Sequence, residues 1–296
     1  MPTREVPVAS PVPPCRRSHR AGRPARLLMT SARTPQSLRI LWLGTSIMEH
    51  RQAHSPRLTD PATLAQVGET VRITEHRSTG YVHRVRLALQ LAHPRVSFIC
   101  DNRGQGGATS RDLATAAQAL PPHLRYDLAV YGCGINDVWR AHQGRTAEEV
   151  SIQEYAEHYA ATLTILTDRA RRILCVSETP FGPVGPPAAV AAMNHDLELY
   201  NRAAAQCAAT AGVPFVDVWT PFVQIARDFA HQPGRERPTL WSDGVHLSDL
   251  GVALLAQHVA GHLREERVIE QFLRAPADPS EGMRGRRATT PCTDGR

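Results

Sequence analysis

Five short apolar runs recur along the chain, at residues 38 to 43 (LRILWL), 95 to 100 (RVSFIC), 126 to 131 (YDLAVY), 171 to 176 (RRILCV) and 213 to 218 (VPFVDV). Each is rich in β-branched or aromatic residues and apolar throughout rather than alternating, the pattern of strands covered on both faces. Between and after them, apolar positions return at helical spacing over 80 to 92, 109 to 120, 146 to 170, 188 to 211 and 219 to 230. A last helix runs from 248 to about 264 and on toward 273, opening at Ser248 or Asp249. Thr146, followed by Glu148 and Glu149, reads as a helix start with acids in the first turn. Strands alternating with helices predict a parallel sheet of about five strands inside a three-layer α/β/α sandwich. Ligands of such sheets bind beyond the carboxyl ends of the strands, near a topological switch point, so the loops that follow strands hold the candidate chemistry.

Composition sharpens the domain boundaries. The 296 residues suit one large domain, and 42% hydrophobic content supplies a sizeable core. The formal net charge is +6, but residues 1 to 40 contribute +7 and residues 281 to 296 contribute +2, leaving the middle at about −3. All 34 basic residues are Arg, which fits the codon bias of a GC-rich genome and weakens the basic ends as a nucleic-acid signal. Residues 1 to 37 mix Pro, Arg and Ser without periodicity, and a disordered extension is expected there, with a second disordered tail at 274 to 296. Arg16 and Arg17 lack the apolar segment of a twin-arginine export signal, Cys15 lacks that of a lipoprotein, and no run is long enough to span a membrane. Translation from Met29 is an alternative start. The six cysteines show no C-x-x-C pair, so buried thiols in a cytoplasmic protein are expected.

The strand ends converge on one chemistry. Gly44-Thr45-Ser46 follows the first strand, and "DNRGQGGATS" follows the second, its glycines letting the backbone approach a ligand and Thr109 able to cap the next helix. "GCGINDVW" follows the third, with Asn136 and Asp137 expected exposed at the sheet edge. "WSDGVHLSDLG" sets Asp243 three residues before His246, ahead of the last helix. A serine hydroxyl becomes a nucleophile when a base takes its proton and a third group fixes the tautomer of that base. Ser46, His246 and Asp243 can fill those roles. The backbone N–H groups of Ser46 and Gly107 and the side-chain amide of Asn136 can donate to a tetrahedral oxyanion.

These four segments resemble the blocks of the SGNH (GDSL-type) hydrolase family, in order and in strand-end placement, over residues 38 to 265. The family's Ser, Gly, Asn and His fall on Ser46, Gly107, Asn136 and His246, and its triad Asp on Asp243. The resemblance implies the SGNH hydrolase fold, with a flavodoxin-like sheet, in a domain from 38 to 273. It also implies a serine hydrolase that cleaves a carboxylic ester through an acyl-enzyme, without cofactor or metal. One departure stands out: the family's Asp before the nucleophile is replaced here by Thr45, which touches local hydrogen bonding and substrate range. Met48 occupies the position of the second Gly in a G-x-S-x-G elbow, against the larger α/β-hydrolase fold.

The remaining expectations are coarser. Thr45, Asn102 and Asp137 are read as supporting residues of the site. His50, His54 and His76 show no metal-site spacing and read as solvated or rim histidines. Trp139 reads as packing and Arg140 as solvated. Residues 51 to 79 form a long connection that suits a lid or pocket wall, and "ETPFGPVGPP" at 178 to 187 a second wall. The polar motif loops favour a small or acetyl-type acyl group on a small-molecule ester. An acyltransferase using the same residues, or a non-catalytic partner-binding domain of the same fold, are the alternatives. No nucleic-acid partner is expected, and the oligomeric state is open.

Overall fold

The structure, a computed structural model, describes residues 36–49, 80–232 and 238–274. Five strands, β1 (Gln36–Gly44), β2 (Val96–Asn102), β3 (Tyr126–Gly132), β4 (Ala170–Val176) and β5 (Phe215–Val216), form one parallel sheet in the order β2-β1-β3-β4-β5. The helices are α1 (Ser46–Glu49), α2 (Tyr81–Ala92), α3 (Ser110–Gln118), α4 (Ile135–His142), α5 (Ile152–Arg169), α6 (Pro187–Thr210), α7 (Trp219–Ala230), α8 (Asp249–Glu265) and α9 (Val268–Arg274). Most of the terminal extensions and all of residues 51 to 79, with His50, lie outside the described residues.

Alternation along the strands divides the core in two. Leu38, Ile40 and Trp42 of β1 pack with Leu128 and Val130 of β3 against Val82, Val85 and Leu89 of α2 and Val252, Leu255 and Val259 of α8. Leu41 and Leu43 point the other way, with Ala129 and Tyr131, against Leu113 of α3 and Tyr155, Tyr159 and Leu163 of α5. Burying one large aliphatic side chain stabilises by about 1.5–3 kcal/mol, more than the ~1 kcal/mol span of strand propensities. Burial on both faces is therefore why the central strands β1 and β3 are apolar over most of their length.

Three elements differ from the sequence expectation, each for a local reason. The helix expected from Thr146 begins at Ile152, because Ser151 and Glu154 form a capping box: the Glu154 carboxylate accepts the Ser151 N–H at 3.0 Å while Ser151 Oγ accepts the Glu154 N–H at 3.3 Å. Glu148 turns instead to Arg140, at 3.2 Å, and to Arg145. The fifth strand is only two residues long. Pro214 has no N–H for a ladder, Val218 N–H donates to Ser177 Oγ at 2.9 Å, and Asp217 Oδ1 accepts the Trp219 N–H at 2.9 Å to start α7. Helix α4 was not expected, because "GCGINDVW" carries the Gly and Asn-Asp signals of a turn. Gly134, at φ +139°, precedes it, and Val138 N–H bonds back to Gly134 C=O at 3.2 Å.

Candidate active site

The carboxyl ends of β1 and β3 lie side by side, with Gly44 opposite Gly132, and β2 and β3 flank β1 on opposite sides. This is the switch point of the sheet, where the chain fans out in two directions and leaves a crevice. Thr45 is buried, and its C=O accepts the N–H groups of Met48 and Glu49, both at 3.0 Å. The chain coils at once into α1, and half-buried Ser46 is its first residue.

Ser46 Oγ lies 3.0 Å from His246 Nε2, and His246 Nδ1 lies 2.7 Å from Asp243 Oδ2. With Nδ1–H donated to the carboxylate, Nε2 is left to accept the serine proton. Asp243 Oδ1 accepts the backbone N–H groups of Val245 (2.9 Å) and His246 (2.7 Å), so one carboxylate shapes the turn and orients the ring that the turn carries. Burial alone would raise the Asp243 carboxyl, but the bonds from the His246 side chain and from these two N–H groups outweigh it and hold it below its ordinary value.

The 178 to 187 segment, expected as a second pocket wall, buttresses this turn. Gly182 N–H donates to Gly244 C=O at 2.7 Å, and Trp241 Nε1 donates to Pro180 C=O at 2.8 Å. Asn194 of α6 fixes the segment from behind, donating to Phe181 C=O at 3.0 Å and accepting its N–H at 2.7 Å.

The segments expected to supply oxyanion donors are the loop after β2 and the start of α4. Asn102 Nδ2 donates to Met48 C=O at 3.1 Å while its Oδ1 accepts the Gly104 N–H at 2.9 Å, tying α1 to the glycine loop. A Cβ on Gly104 would stand 2.3 Å from Glu49 N, so only glycine permits that approach. Gly107 has φ +75°, and a Cβ there would also meet the Arg140 guanidinium at 2.8 Å. Arg140, expected solvated, instead donates to Gly107 C=O at 3.2 Å and pairs with Glu148.

Asn136 and Asp137 correct a second expectation: they are buried, at 2% and 0% exposure, in the first turn of α4 rather than exposed at the sheet edge. Asn136 Nδ2 donates one hydrogen to Ala108 C=O at 2.9 Å, which leaves its second amide hydrogen for another acceptor. Asp137 reaches across to α3, accepting Ser110 N–H at 3.0 Å and Ser110 O–H at 2.6 Å. Burial nevertheless pushes its carboxyl up to about 6, against the pull of the Ser110 bonds. Glu178, just after β4, is also buried, and desolvation together with the charge of Asp137 pushes it up to about 8. Glu178 opens the segment expected as a second wall but drew no role of its own, although an acid two residues beyond an apolar strand was its visible signal. Trp139 packs against the core.

Among the described residues no cluster of His, Cys, Asp or Glu could hold a metal ion, and no helix is long and apolar enough to cross a membrane. His54 and His76 lie outside the described residues. Cys133 and Cys175 are buried thiols, raised by desolvation.

Residues 44–254 match the model of the GDSL-like Lipase/Acylhydrolase family. An acetylxylan esterase of Geobacillus stearothermophilus is 28% identical over 184 residues, covering 60% of this chain and 78% of that protein. In fold, the chain resembles a crystal structure of a catalytic mutant of that organism's acetylxylan esterase Axe2, with a TM-score of 0.60 at 23% identity, covering 78% of this chain and 95% of that one. It likewise resembles LAE5, an alpha/beta hydrolase enzyme from the metagenome of Lake Arreo, with a TM-score of 0.59 at 22% identity over 77% of this chain and 95% of that one. A five-stranded parallel sheet with helices on both faces, and a family match that covers most of its length, make this chain a member of the GDSL-like lipase/acylhydrolase family and a carboxylic ester hydrolase.

Proposed function

We propose that the protein hydrolyses small acyl esters, acetyl esters above all, through an acyl-enzyme formed on Ser46. The continuous hydrogen-bond chain Ser46–His246–Asp243, at 3.0 and 2.7 Å, carries this reading. Ser46 Oγ attacks the ester carbonyl carbon as its proton passes to His246 Nε2, and the Asp243 carboxylate stabilises the imidazolium. The N–H groups of Ser46 and Gly107 and the second amide hydrogen of Asn136 receive the oxyanion. His246 then returns the proton to the leaving alkoxide, which departs as the alcohol. Water attacks the acyl-enzyme, gives its proton to His246, and the acid leaves with Ser46 restored.

The likeness to an acetylxylan esterase supports acetyl groups on carbohydrate hydroxyls as the substrate class. A series of p-nitrophenyl esters of increasing chain length tests the acyl preference, with turnover expected to peak at acetate and to vanish in Ser46→Ala. Fluorophosphonate labelling of Ser46 is expected in the wild type. A wild type that neither labels nor turns over any ester overturns the assignment, and product analysis with alcohol acceptors separates hydrolysis from transfer.

A further inference from the structure

Helix α4 carries Asn136 but has no cap of its own, since Gly134 at its N-terminus offers no side chain. The first orphan N–H of such a helix needs an acceptor, and the Ile135 N–H faces the buried Glu178 carboxyl, delivered from just beyond β4. Glu178 is itself fixed, because its N–H donates to Asn201 Oδ1 at 2.8 Å and its C=O accepts from Asn201 Nδ2 at 3.1 Å. One residue beyond Ile135 is Asn136, bonded to Ala108 C=O, and beyond that Asp137, bonded to Ser110 at the start of α3. Contacts thus run from the end of β4 through the first turn of α4, whose Asn136 and Asp137 are bonded to Ala108 and Ser110, the residues that follow Gly107. In the other direction Glu178 shares a cavity of about 20 Å³ with Thr45, Tyr81 and Thr179, a space that suits a single water. Thr45 is the residue immediately before Ser46, so Glu178 lies behind both the nucleophile and the oxyanion donors.

We propose that Glu178 is a positioning residue of the oxyanion hole, capping from outside the helix that aims Asn136. The proposal rests on the esterase reading. An uncharged acid suits this post: its carbonyl oxygen accepts the Ile135 N–H and its O–H has the polar cavity to donate into, whereas a carboxylate there would oppose the negative charge of the oxyanion. The titratable groups that face it are Asp137 of α4, Tyr81 of α2 and Cys133 before α4, none of them a cation. Burial and Asp137 accordingly keep its proton on through neutral pH.

The test compares full-length wild type, Glu178→Ala and Glu178→Gln on p-nitrophenyl acetate, with fluorophosphonate labelling alongside. In E178A, kcat is expected to fall roughly ten- to a hundredfold, the cost of a donor displaced by an ångström or less, with KM little changed. E178Q keeps a carbonyl acceptor without a titratable proton and is expected to restore most of the lost kcat. The wild-type rate should decline above about pH 8 as Glu178 ionises, and E178Q should not share that decline. An E178A enzyme with unchanged kcat, an E178Q as impaired as E178A, or an alkaline decline identical in E178Q overturns the proposal while the wild type still labels and turns over. A wild type that does neither overturns the esterase reading as well.

Discussion

Asp243 and His246 stand three residues apart in one turn, with side chains 55% and 39% exposed, whereas Asn136 and Asp137 are buried and held by Ala108 and Ser110, 28 and 27 residues away. On the proposed mechanism the base side of the site is local and wet, and the oxyanion side is long-range and dry. Solvent helps reorganise around the charge that moves through the imidazole, but a donor for an oxyanion works best when fixed in advance in a low dielectric. The two sides also respond to pH with opposite sign.

Ser46→Ala and His246→Ala attack the link between the sides and should show the largest effect, roughly a 10⁴-fold or greater loss of kcat on p-nitrophenyl acetate. Asn136→Ala removes one prearranged donor from the dry side, and steady-state kinetics should show roughly a 10²- to 10³-fold loss in kcat with KM nearly constant. A KM rise without loss of kcat would mean that Asn136 binds substrate and transition state alike.

Stability against pH separates the sides directly. Glu178 and Asp137 have folded values raised, to about 8 and about 6, above their ordinary 4.5 and 3.8. Their contribution is complete below those ordinary values and is lost as pH rises through the folded ones, so Tm should fall between about pH 4 and pH 8 on their account. Glu178→Gln should flatten the upper part of that fall in a thermal-melt series. Asp243 is lowered below 3.8, so its contribution is present above that value and disappears only in more acidic solution.

Smaller effects test the supports. Trp241→Phe deletes the bond to Pro180 C=O behind the His246 turn, costing about 1 kcal/mol, with a modest drop in kcat. Ser151→Ala removes the α5 cap far from the crevice, costing about 1 kcal/mol. It should lower Tm by a few degrees and leave turnover untouched.

The same division decides how much could be read in advance. The strands were located because each carries a short apolar run, longest in the central β1 and β3 where both faces are buried, and Asp243-x-x-His246 was readable because its contacts lie within one turn. Ser46 was readable only through its position after β1, with the partner segments in matching places. The dry side resisted: Asn136 and Asp137 look like turn residues until the long-range bonds to Ala108 and Ser110 are known, and so α4 itself was missed. Arg140 looked solvated because nothing nearby in sequence shows Gly107 C=O. Glu178 had a visible oddity, an acid on a buried strand end, but its partner Ile135 lies across the sheet on another connection.

Ser46 and His246 are 200 residues apart in sequence and 3.0 Å apart in space. A contact closed over so long a stretch requires the intervening strands and helices to be in register first, since closing that loop gains nothing until they are. Recovered esterase activity in a refolding experiment therefore reports completion of the whole sheet. Far-UV circular dichroism, sensitive to helices such as α5 and α6 that form largely from local contacts, should recover earlier, and the lag between the two signals times the closure of the domain.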